Sequence, residues 1–205
     1  MGTSHIEFLV EERSMEAFLT PLLRRCLPAG CTFQIHAHQG KQALLRKLEN
    51  RLKGYASFLP QDHRIVVVVD MDKDECDQLK SRLEEACTHA ELQSKQAAGS
   101  PQWQVATRIA IEELEAWYFG DWQAVCRAFP RVSKTIPKGK RYRKPDAIQG
   151  GTWEAFERVL KQAGYCKQGL PKVQTATAMG QHMEPAENRS PSFQVFWQAV
   201  TEALA

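Results

Sequence analysis

The sequence predicts an α/β protein with a mainly parallel four-stranded sheet flanked by helices and a C-terminal helical extension. Four short apolar segments alternate with segments whose apolar residues fall at helical spacing, which is typical of parallel sheets with right-handed crossovers. The third apolar segment, residues 65–69, is an unbroken β-branched run and predicts a strand covered by helices on both faces. Because ligands of such sheets bind at the carboxyl ends of the strands, functional residues are expected there.

The period of the apolar residues assigns each segment of the first 130 residues to a strand or a helix. Alternating or continuous apolar runs predict strands, whereas spacings of three and four predict helices. The predicted strands are residues 6–10, 32–37, 65–69 and 103–111. The predicted helices are residues 14–23, 44–55, 74–90 and 112–119, followed by a short helix capped by Asp121, and residues 94–102 predict a loop.

The remaining residues are organised differently. Residues 131–151 have no periodicity, whereas a helix is predicted between Thr152 and Gly164, another begins at Lys172, and a last one carries Pro191 in its first turn. We therefore expect an α/β domain at residues 1–130. Residues 131–205 are expected to form a basic loop and a helical extension packed on that domain.

Composition excludes several classes of protein. Of the 205 residues, 43% are apolar and 25% are charged, which is near the average for globular proteins and excludes a disordered or fibrous chain. The longest apolar run is too short to cross a bilayer, and the first residues lack the pattern of a signal peptide, so a cytoplasmic protein is expected. Six scattered cysteines without a CxxC pair predict free thiols. The net charge of +3 does not by itself indicate nucleic-acid binding.

Acidic residues follow two of the predicted strands. Glu11 and Glu12 come directly after the first strand, and Asp70 and Asp72 follow the third. If these strands are neighbours, the carboxylates converge on a space the size of one ion, and hard oxygen ligands suit Mg²⁺ or Mn²⁺. The sequence therefore predicts a metal site formed by Glu11, Asp70 and Asp72, although solvated loop acids or helix caps would produce the same pattern.

A further acidic group follows the fourth strand. Glu112 and Glu115 are three residues apart and would share a helix face, whereas Glu113 would point elsewhere. A second metal ion would use Glu112 and Glu115 as ligands. Acids in a first helical turn also simply complement the helix dipole, so both interpretations stay open.

One segment carries a high local density of cations. Six cations with Tyr142 among them predict a surface that binds the phosphates of nucleic acid, or alternatively a solvated basic loop. Lys41, after Gly40, and Lys172 are further candidates to hold phosphate or a developing charge. The six cations are Lys134, Lys138, Lys140, Arg141, Arg143 and Lys144.

These residues resemble those of a known fold. Residues 9–14, Leu-Val-Glu-Glu-Arg-Ser, and residues 68–72, Val-Val-Asp-Met-Asp, resemble the Toprim fold, in which a Glu follows the first strand and Asp-x-Asp follows the third. Glu113 to Glu115 resembles the additional acids of the overcoming-lysogenization-defect (OLD) type of Toprim nuclease. The whole chain is similar to a bacterial family of Toprim-like proteins known as domain of unknown function 4276. That similarity also includes residues 38–41, 141–143, 145–148, 150–153 and 188–190.

The resemblance implies a Mg²⁺-dependent nuclease. Glu11, Asp70 and Asp72 would be its catalytic metal ligands, with Lys172 as a further catalytic residue and DNA or RNA as substrate. It also implies an ABC-type ATPase as partner and a role in phage defence. Two alternatives remain open at this point: a non-catalytic nucleic-acid or partner-binding module with a regulatory cation site, and a nucleotide-sugar transferase with an Asp-x-Asp motif.

Overall fold

A four-stranded, all-parallel sheet forms the centre of the protein. The computed structural model describes residues 3–99, 102–165 and 169–205. The strands are β1 (His5–Val10), β2 (Thr32–Ala37), β3 (His63–Asp70) and β4 (Val105–Ala110), in the order β2-β1-β3-β4. Because β1 and β3 are neighbours in parallel register, the residues that follow them come out at the same edge of the sheet. The α/β class and the parallel sheet predicted from the sequence are confirmed.

Helices cover both faces of this sheet. On one face, α2 and α3 pack against Leu9, Val67 and Val69, and on the other face α1 and the later helices pack against Phe8 and Val68. Six consecutive residues at the end of β3 are buried, as expected for a strand with helices on both sides. The helices are α1 (Arg13–Cys26), α2 (Lys41–Ala56), α3 (Cys76–His89), α4 (Lys95–Ala98), α5 (Glu115–Gly120), α6 (Trp122–Ala128), α7 (Thr152–Gln162), α8 (Lys172–His182) and α9 (Pro191–Leu204).

The C-terminal helices share an apolar core with the first half of the chain. Helix α8 packs against α1 so closely that a Cβ atom at Gly180 would lie 2.0 Å from the carbonyl oxygen of Phe18. This approach therefore requires glycine. Helix α9 packs on β3 and β4, and its N-terminus is fixed by Asp146, which accepts hydrogen bonds from Ser190 Oγ (2.5 Å) and the Ser192 N–H (2.7 Å).

Local structure differs from the sequence prediction at three places. The loop predicted at residues 94–102 contains the short helix α4, which Ser94 caps through Ala97 N–H. Gly151, not Thr152, is the N-terminal cap of α7. The helix expected from Glu112 begins at Glu115, because the backbone of Glu112 is left-handed (φ 55°) and its carbonyl oxygen accepts a hydrogen bond from outside the helix.

Two general features of the chain are also visible in the structure. The described cysteines, Cys26, Cys31, Cys76, Cys87 and Cys126, are free thiols, and Cys166 lies outside the described residues. None of the helices described is long and apolar enough to cross a bilayer.

Candidate metal centre

The carboxylates predicted to bind metal begin at the ends of β1 and β3. Glu11 directly follows β1, and its Oε2 accepts a hydrogen bond of 3.1 Å from the backbone N–H of Asp70, the last residue of β3. The loop before α2 folds over the same place, because Gly40 donates its N–H to the carbonyl oxygen of Glu11 at 3.0 Å. Two neighbouring strand ends therefore deliver Glu11 and Asp70 to one position at the sheet edge.

The Asp70 carboxyl is buried without a full set of partners. Asp70 is only 8% exposed, and its Oδ1 has no hydrogen-bond partner among the described residues. Burial raises the pKa of Asp70 well above its usual range, and the nearby charges of Glu11 and Glu115 raise it further. A buried carboxylate oxygen without a partner is costly, so this group requires either a proton or a cation.

Glu11 responds to the same environment. Burial raises its pKa to about 7, the Asp70 N–H counteracts part of that shift, and the charge of Asp72 adds to it. Because two adjacent carboxyl groups both have raised pKa values, their negative charges are only partly compensated by the protein. This is the electrostatic state in which a divalent cation binds most favourably.

Asp72 is compensated by a lysine. Lys41, at the start of α2, is 7% exposed, and its Nζ lies 2.8 Å from Asp72 Oδ2, 2.7 Å from Asp74 Oδ2 and 2.9 Å from the carbonyl oxygen of Met71. Burial opposes the charge of Lys41, but the hydrogen bonds to Asp72 and Asp74 outweigh it and raise its pKa. Lys41 is thus turned inward, and its three donor positions are taken by oxygen atoms.

The turns after β3 and β4 are joined by an unusual backbone contact. Asp72 (φ 50°) and Glu112 (φ 55°) both have left-handed backbones, which non-glycine residues rarely adopt, and Asp72 N–H donates to the Glu112 carbonyl oxygen at 2.7 Å. Such conformations cost on the order of 1–3 kcal/mol each and are concentrated at functional sites. The contact holds the turns that carry the acidic residues next to each other.

The acids after β4 occupy three different environments. Glu112 Oε2 is buried without a partner among the described residues, and burial together with Glu113 and Glu154 raises the Glu112 pKa. Glu113 has a structural role, since its Oε2 accepts hydrogen bonds from Thr152 Oγ1 (3.0 Å) and the N–H of Trp153 (2.8 Å) at the start of α7. Because Glu112 lies before α5, which begins at Glu115, the two residues do not share the helix face that the sequence predicted.

Glu115 lies deeper than any other acid of this group. It is 6% exposed, and burial, followed by the charge of Glu113, raises its pKa to about 7, while Lys172 lowers it. Lys172 itself is exposed, with its Nζ 5.3 Å from the centroid of the Trp153 ring. The charge of Lys172 acts on Glu115 at a distance, since no side-chain hydrogen bond joins them.

No complete metal-binding group is formed by these side chains. Within residues 3–99, 102–165 and 169–205, no set of three or more His, Cys, Asp or Glu side chains is arranged to hold an ion. Glu11 and Asp70 are adjacent, but Asp72 faces Lys41. The structure therefore brings together two of the three predicted ligands and engages the third in an ion pair.

The predicted nucleic-acid surface lies on irregular backbone. All six cations between Lys134 and Lys144 are exposed, and the guanidinium groups of Arg141 and Arg143 donate to nearby backbone carbonyls of Gln149 and Lys138. Tyr142, expected to be free to stack on a base, already stacks on Phe119, with ring centroids 5.3 Å apart and an interplanar angle of 4°. One face of that ring is therefore covered by the protein.

Several residues of the site were not singled out by the sequence. Asp74 is the second acidic partner of Lys41, and Glu12 at the N-cap of α1 raises the pKa values of Glu11, Asp70 and Glu115. Tyr118 is fully buried near the same carboxylates, and burial raises its pKa further than those charges do. The acidic residues were visible in the sequence, but nothing in their spacing predicts which of them pairs with Lys41.

Comparison with known proteins identifies the family of the chain. No curated protein and no solved structure matches it significantly. The family model described as "Domain of unknown function (DUF4276)" matches residues 10–201. This range contains the carboxylates at the sheet edge, the basic segment (residues 134–144) and the C-terminal helices. The chain therefore belongs to the DUF4276 family.

Proposed function

We propose that the chain is a Mg²⁺- or Mn²⁺-dependent nuclease of the Toprim-like type, which hydrolyses phosphodiester bonds in nucleic acid. The observation that carries the proposal is the pair of adjacent, incompletely compensated carboxyl groups of Glu11 and Asp70 at neighbouring strand ends. Their position agrees with the general location of active sites in parallel α/β sheets.

The chemistry of these donors fits a hard divalent cation. Carboxylate oxygens are the preferred ligands of Mg²⁺ and Mn²⁺, and the unpartnered Oδ1 of Asp70 is available as a ligand. Glu11 and Asp70 are the residues that would hold the ion, and Asp72 lies beside them in its pair with Lys41. When bound, such an ion lowers the pKa of a water molecule and stabilises charge on a phosphate.

Other groups of the chain supply the remaining functions of a hydrolase. Lys41 fixes the orientation of Asp72 and Asp74 through short contacts. Glu115 exchanges a proton near neutral pH, as a general acid or base must, and Lys172 adjusts its pKa. The exposed cations between Lys134 and Lys144 bind the phosphate backbone of the substrate and position it.

Cleavage of a mixed panel of single- and double-stranded DNA and RNA tests this proposal. We expect cleavage in Mg²⁺ or Mn²⁺ and none in EDTA, and a loss of at least about a hundredfold in the variants Glu11→Gln and Asp70→Asn. The matched controls are Glu85→Gln and Asp77→Asn, which change exposed acids of α3 in the same way. Equal cleavage in EDTA, or full activity of both site variants, would show that the mechanism is wrong.

A second candidate is a non-catalytic binding module with a regulatory cation site at the acidic edge. This name refers to the carboxylates of Glu11, Asp70, Asp72 and Glu115 at the carboxyl ends of the strands. The observation in its favour is the pairing of Asp72 with Lys41, which leaves two carboxylates rather than three for an ion. This candidate predicts nucleic-acid binding that changes with Mg²⁺ and no cleavage of any substrate in the panel.

An ABC-type ATPase partner and a role in phage defence belong to the same proposal. They derive from the resemblance of residues 9–14 and 68–72 to Toprim nucleases. A tagged chain expressed in its own cells is expected to retain such an ATPase through affinity purification, as identified by mass spectrometry. Recovery of the chain without any ATPase would count against the partnership and would leave the cleavage test unaffected.

A further inference from the structure

A cavity separate from the acidic edge lies between helices α5 and α6 and the basic segment. Its volume is about 730 Å³, and its lining extends from Phe119 to Arg127 on one side and from Lys134 to Pro145 on the other. Glu187 and Arg189, before α9, complete it. This volume falls within the range of about 300–1,000 Å³ that is typical of small-molecule sites, and it greatly exceeds the space that a single phosphate ion fills.

The lining of this cavity is strongly positive. Five cations line it, against two acids, Asp121 and Glu187. The Asp121 carboxylate is buried, accepts hydrogen bonds from the N–H groups of Ala124 and Glu184, and lies 3.8 Å from Arg127 Nη2, so among the cations of the cavity it is Arg127 that it pairs with. The five cations are Arg127, Lys134, Lys138, Arg143 and Arg189.

Three of these cations are free to bind a ligand. The side chains of Lys134, Lys138 and Arg189 form no hydrogen bond or ion pair with any residue in the described parts of the chain. Because cations that converge on a concave surface repel one another and focus a positive potential there, an anion in the cavity would relieve the repulsion. Phosphate is the anion whose geometry lysine and arginine recognise best.

The same cavity is lined by an aromatic stack. Phe119 lies between Trp122 and Tyr142, with ring centroids 5.4 and 5.3 Å away and interplanar angles of 15° and 4°. The guanidinium group of Arg141 lies 5.7 Å from the Tyr142 ring centroid. Because Phe119 is buried, a base would contact the outer part of the stack at Tyr142, beside the Arg141 guanidinium, and the free cations nearby would pair with the phosphate.

We propose that this cavity binds one nucleoside phosphate, with the base against the aromatic stack and the phosphate held by the free side chains of Lys134 and Lys138 together with Arg143, which uses one N–H group for the Lys138 carbonyl oxygen. The ligand is either a free mononucleotide or the terminal nucleotide of a strand, because both present the same chemistry. The proposal rests on the proposed function only for the choice of a nucleotide as the ligand. It requires neither a metal ion nor cleavage, because none of the cavity residues belongs to the acidic edge.

Binding in EDTA by the full chain tests the proposal separately from catalysis. Isothermal titration with adenosine 5′-monophosphate, adenosine, inorganic phosphate and a 5′-phosphorylated single-stranded oligonucleotide separates the contribution of the base from that of the phosphate. The site variant is Lys138→Glu combined with Arg143→Glu. The matched control is Arg46→Glu combined with Lys47→Glu, which makes the same charge change at exposed positions of α2 that do not line the cavity.

We expect the mononucleotide to bind at least about tenfold more tightly than phosphate or adenosine alone. The site variant should weaken this binding by about tenfold or more, whereas the control should change it by less than about threefold. Tyr142→Leu should also weaken the binding and Tyr142→Phe should preserve it, because the phenyl ring still stacks. If the mononucleotide fails to bind but the oligonucleotide binds and is weakened by the same variants, the ligand is the terminal nucleotide of a strand. That result supports the proposal.

Three results would overturn this proposal. Equal weakening by the site variant and the control would mean that the net charge of the protein, and not the cavity, determines the binding. Binding of phosphate as tight as that of the mononucleotide, or of no ligand at all, would exclude a nucleoside site. Because all of these measurements are made without metal, a failure of nuclease activity is distinguishable from a failure of this site.

Discussion

The protein carries two charged regions that are built in opposite ways. The acidic edge has its carboxyl groups directly after β1, at the end of β3 and at the start of α5, and Asp70 and Glu115 are less than 10% exposed. The basic segment, residues 134–144, lies on irregular backbone with one 3₁₀ turn, and all its cations are exposed. Burial raises the pKa values of the acids, whereas the cations are solvated and cost the fold little.

This difference separates two tasks. Buried like charges on rigid elements are costly, and proteins retain them where a reaction or an ion requires a fixed position. Exposed cations on turns can adapt to a phosphate backbone and release counterions. In the proposed function the acidic edge carries the chemistry and the basic segment attaches the substrate, so changes in the two regions should affect different measurements.

The largest effect is expected from Asp72→Asn. We expect metal-dependent cleavage to fall by at least about a hundredfold, because Asn removes a negative charge beside Glu11 and leaves Lys41 less compensated, so that the site attracts a cation less strongly. Nucleic-acid affinity in EDTA should stay unchanged. Since the Asp72 carboxylate is about half exposed and Lys41 keeps Asp74 and the Met71 carbonyl oxygen as partners, stability should change by less than about 1 kcal/mol.

Kinetics, filter binding and urea unfolding of the same preparation measure these three quantities. Asp77→Asn serves as the control, because Asp77 is an exposed acid of α3. Full activity of Asp72→Asn would remove Asp72 from the mechanism. A large loss of nucleic-acid affinity would mean that the two regions do not act separately.

A second effect is expected when the basic segment loses its charge. Replacing Lys138, Lys140, Arg141 and Arg143 by alanine should flatten the dependence of log affinity on log salt by nearly one unit of slope per lost phosphate contact. The free energy of unfolding should barely change, because these side chains are exposed. Binding measured between about 50 and 200 mM salt gives the slope, and an unchanged slope would show that this segment is not the nucleic-acid surface.

A smaller effect is expected on the pH dependence of stability. The folded state keeps a proton on Glu115 up to about pH 7, whereas the unfolded chain loses it near its ordinary value of 4.5. Glu115 therefore lowers stability progressively as pH rises from about 4.5 to about 7, and the full loss persists above that range. Glu115→Gln should stabilise the protein at about pH 8 by up to about 3 kcal/mol and leave it unchanged at about pH 4.

Urea unfolding of Glu115→Gln and the exposed control Glu85→Gln over this pH range measures the difference. A stability gain that is independent of pH would mean that packing, rather than charge, limits stability at position 115. No gain at any pH would mean that the burial of Glu115 is compensated by another group.

Much of the fold follows from the sequence. The unbroken run at residues 65–69 predicted a strand covered on both faces, and β3 is buried over that run. The parallel sheet follows from the alternation of strands and helices, and the position of Glu11 and Asp70 at one edge follows from the parallel sheet. These features were predictable because apolar periodicity and parallel connectivity depend on local sequence and on general rules of chain topology.

The partners of individual charged groups did not follow from the sequence. Lys41 was considered a phosphate ligand, but it is buried against Asp72 and Asp74, which lie about thirty positions away along the chain. Glu113 was expected only to point away from Glu112 and Glu115, and it accepts a hydrogen bond from the Trp153 N–H in the first turn of α7. Such pairings depend on the packing of distant segments, for which sequence spacing carries no signal.

In the proposed function, Glu11 and Asp70 together hold a divalent cation. Soaking crystals in Mn²⁺ and measuring anomalous scattering tests it most directly, with Glu11→Gln as a matched crystal. We expect a manganese peak between the two carboxylates in the wild type, with oxygen ligands at about 2.0–2.3 Å, and its loss in the variant. A wild-type crystal at saturating Mn²⁺ with no peak beside Glu11 and Asp70 would contradict the claim.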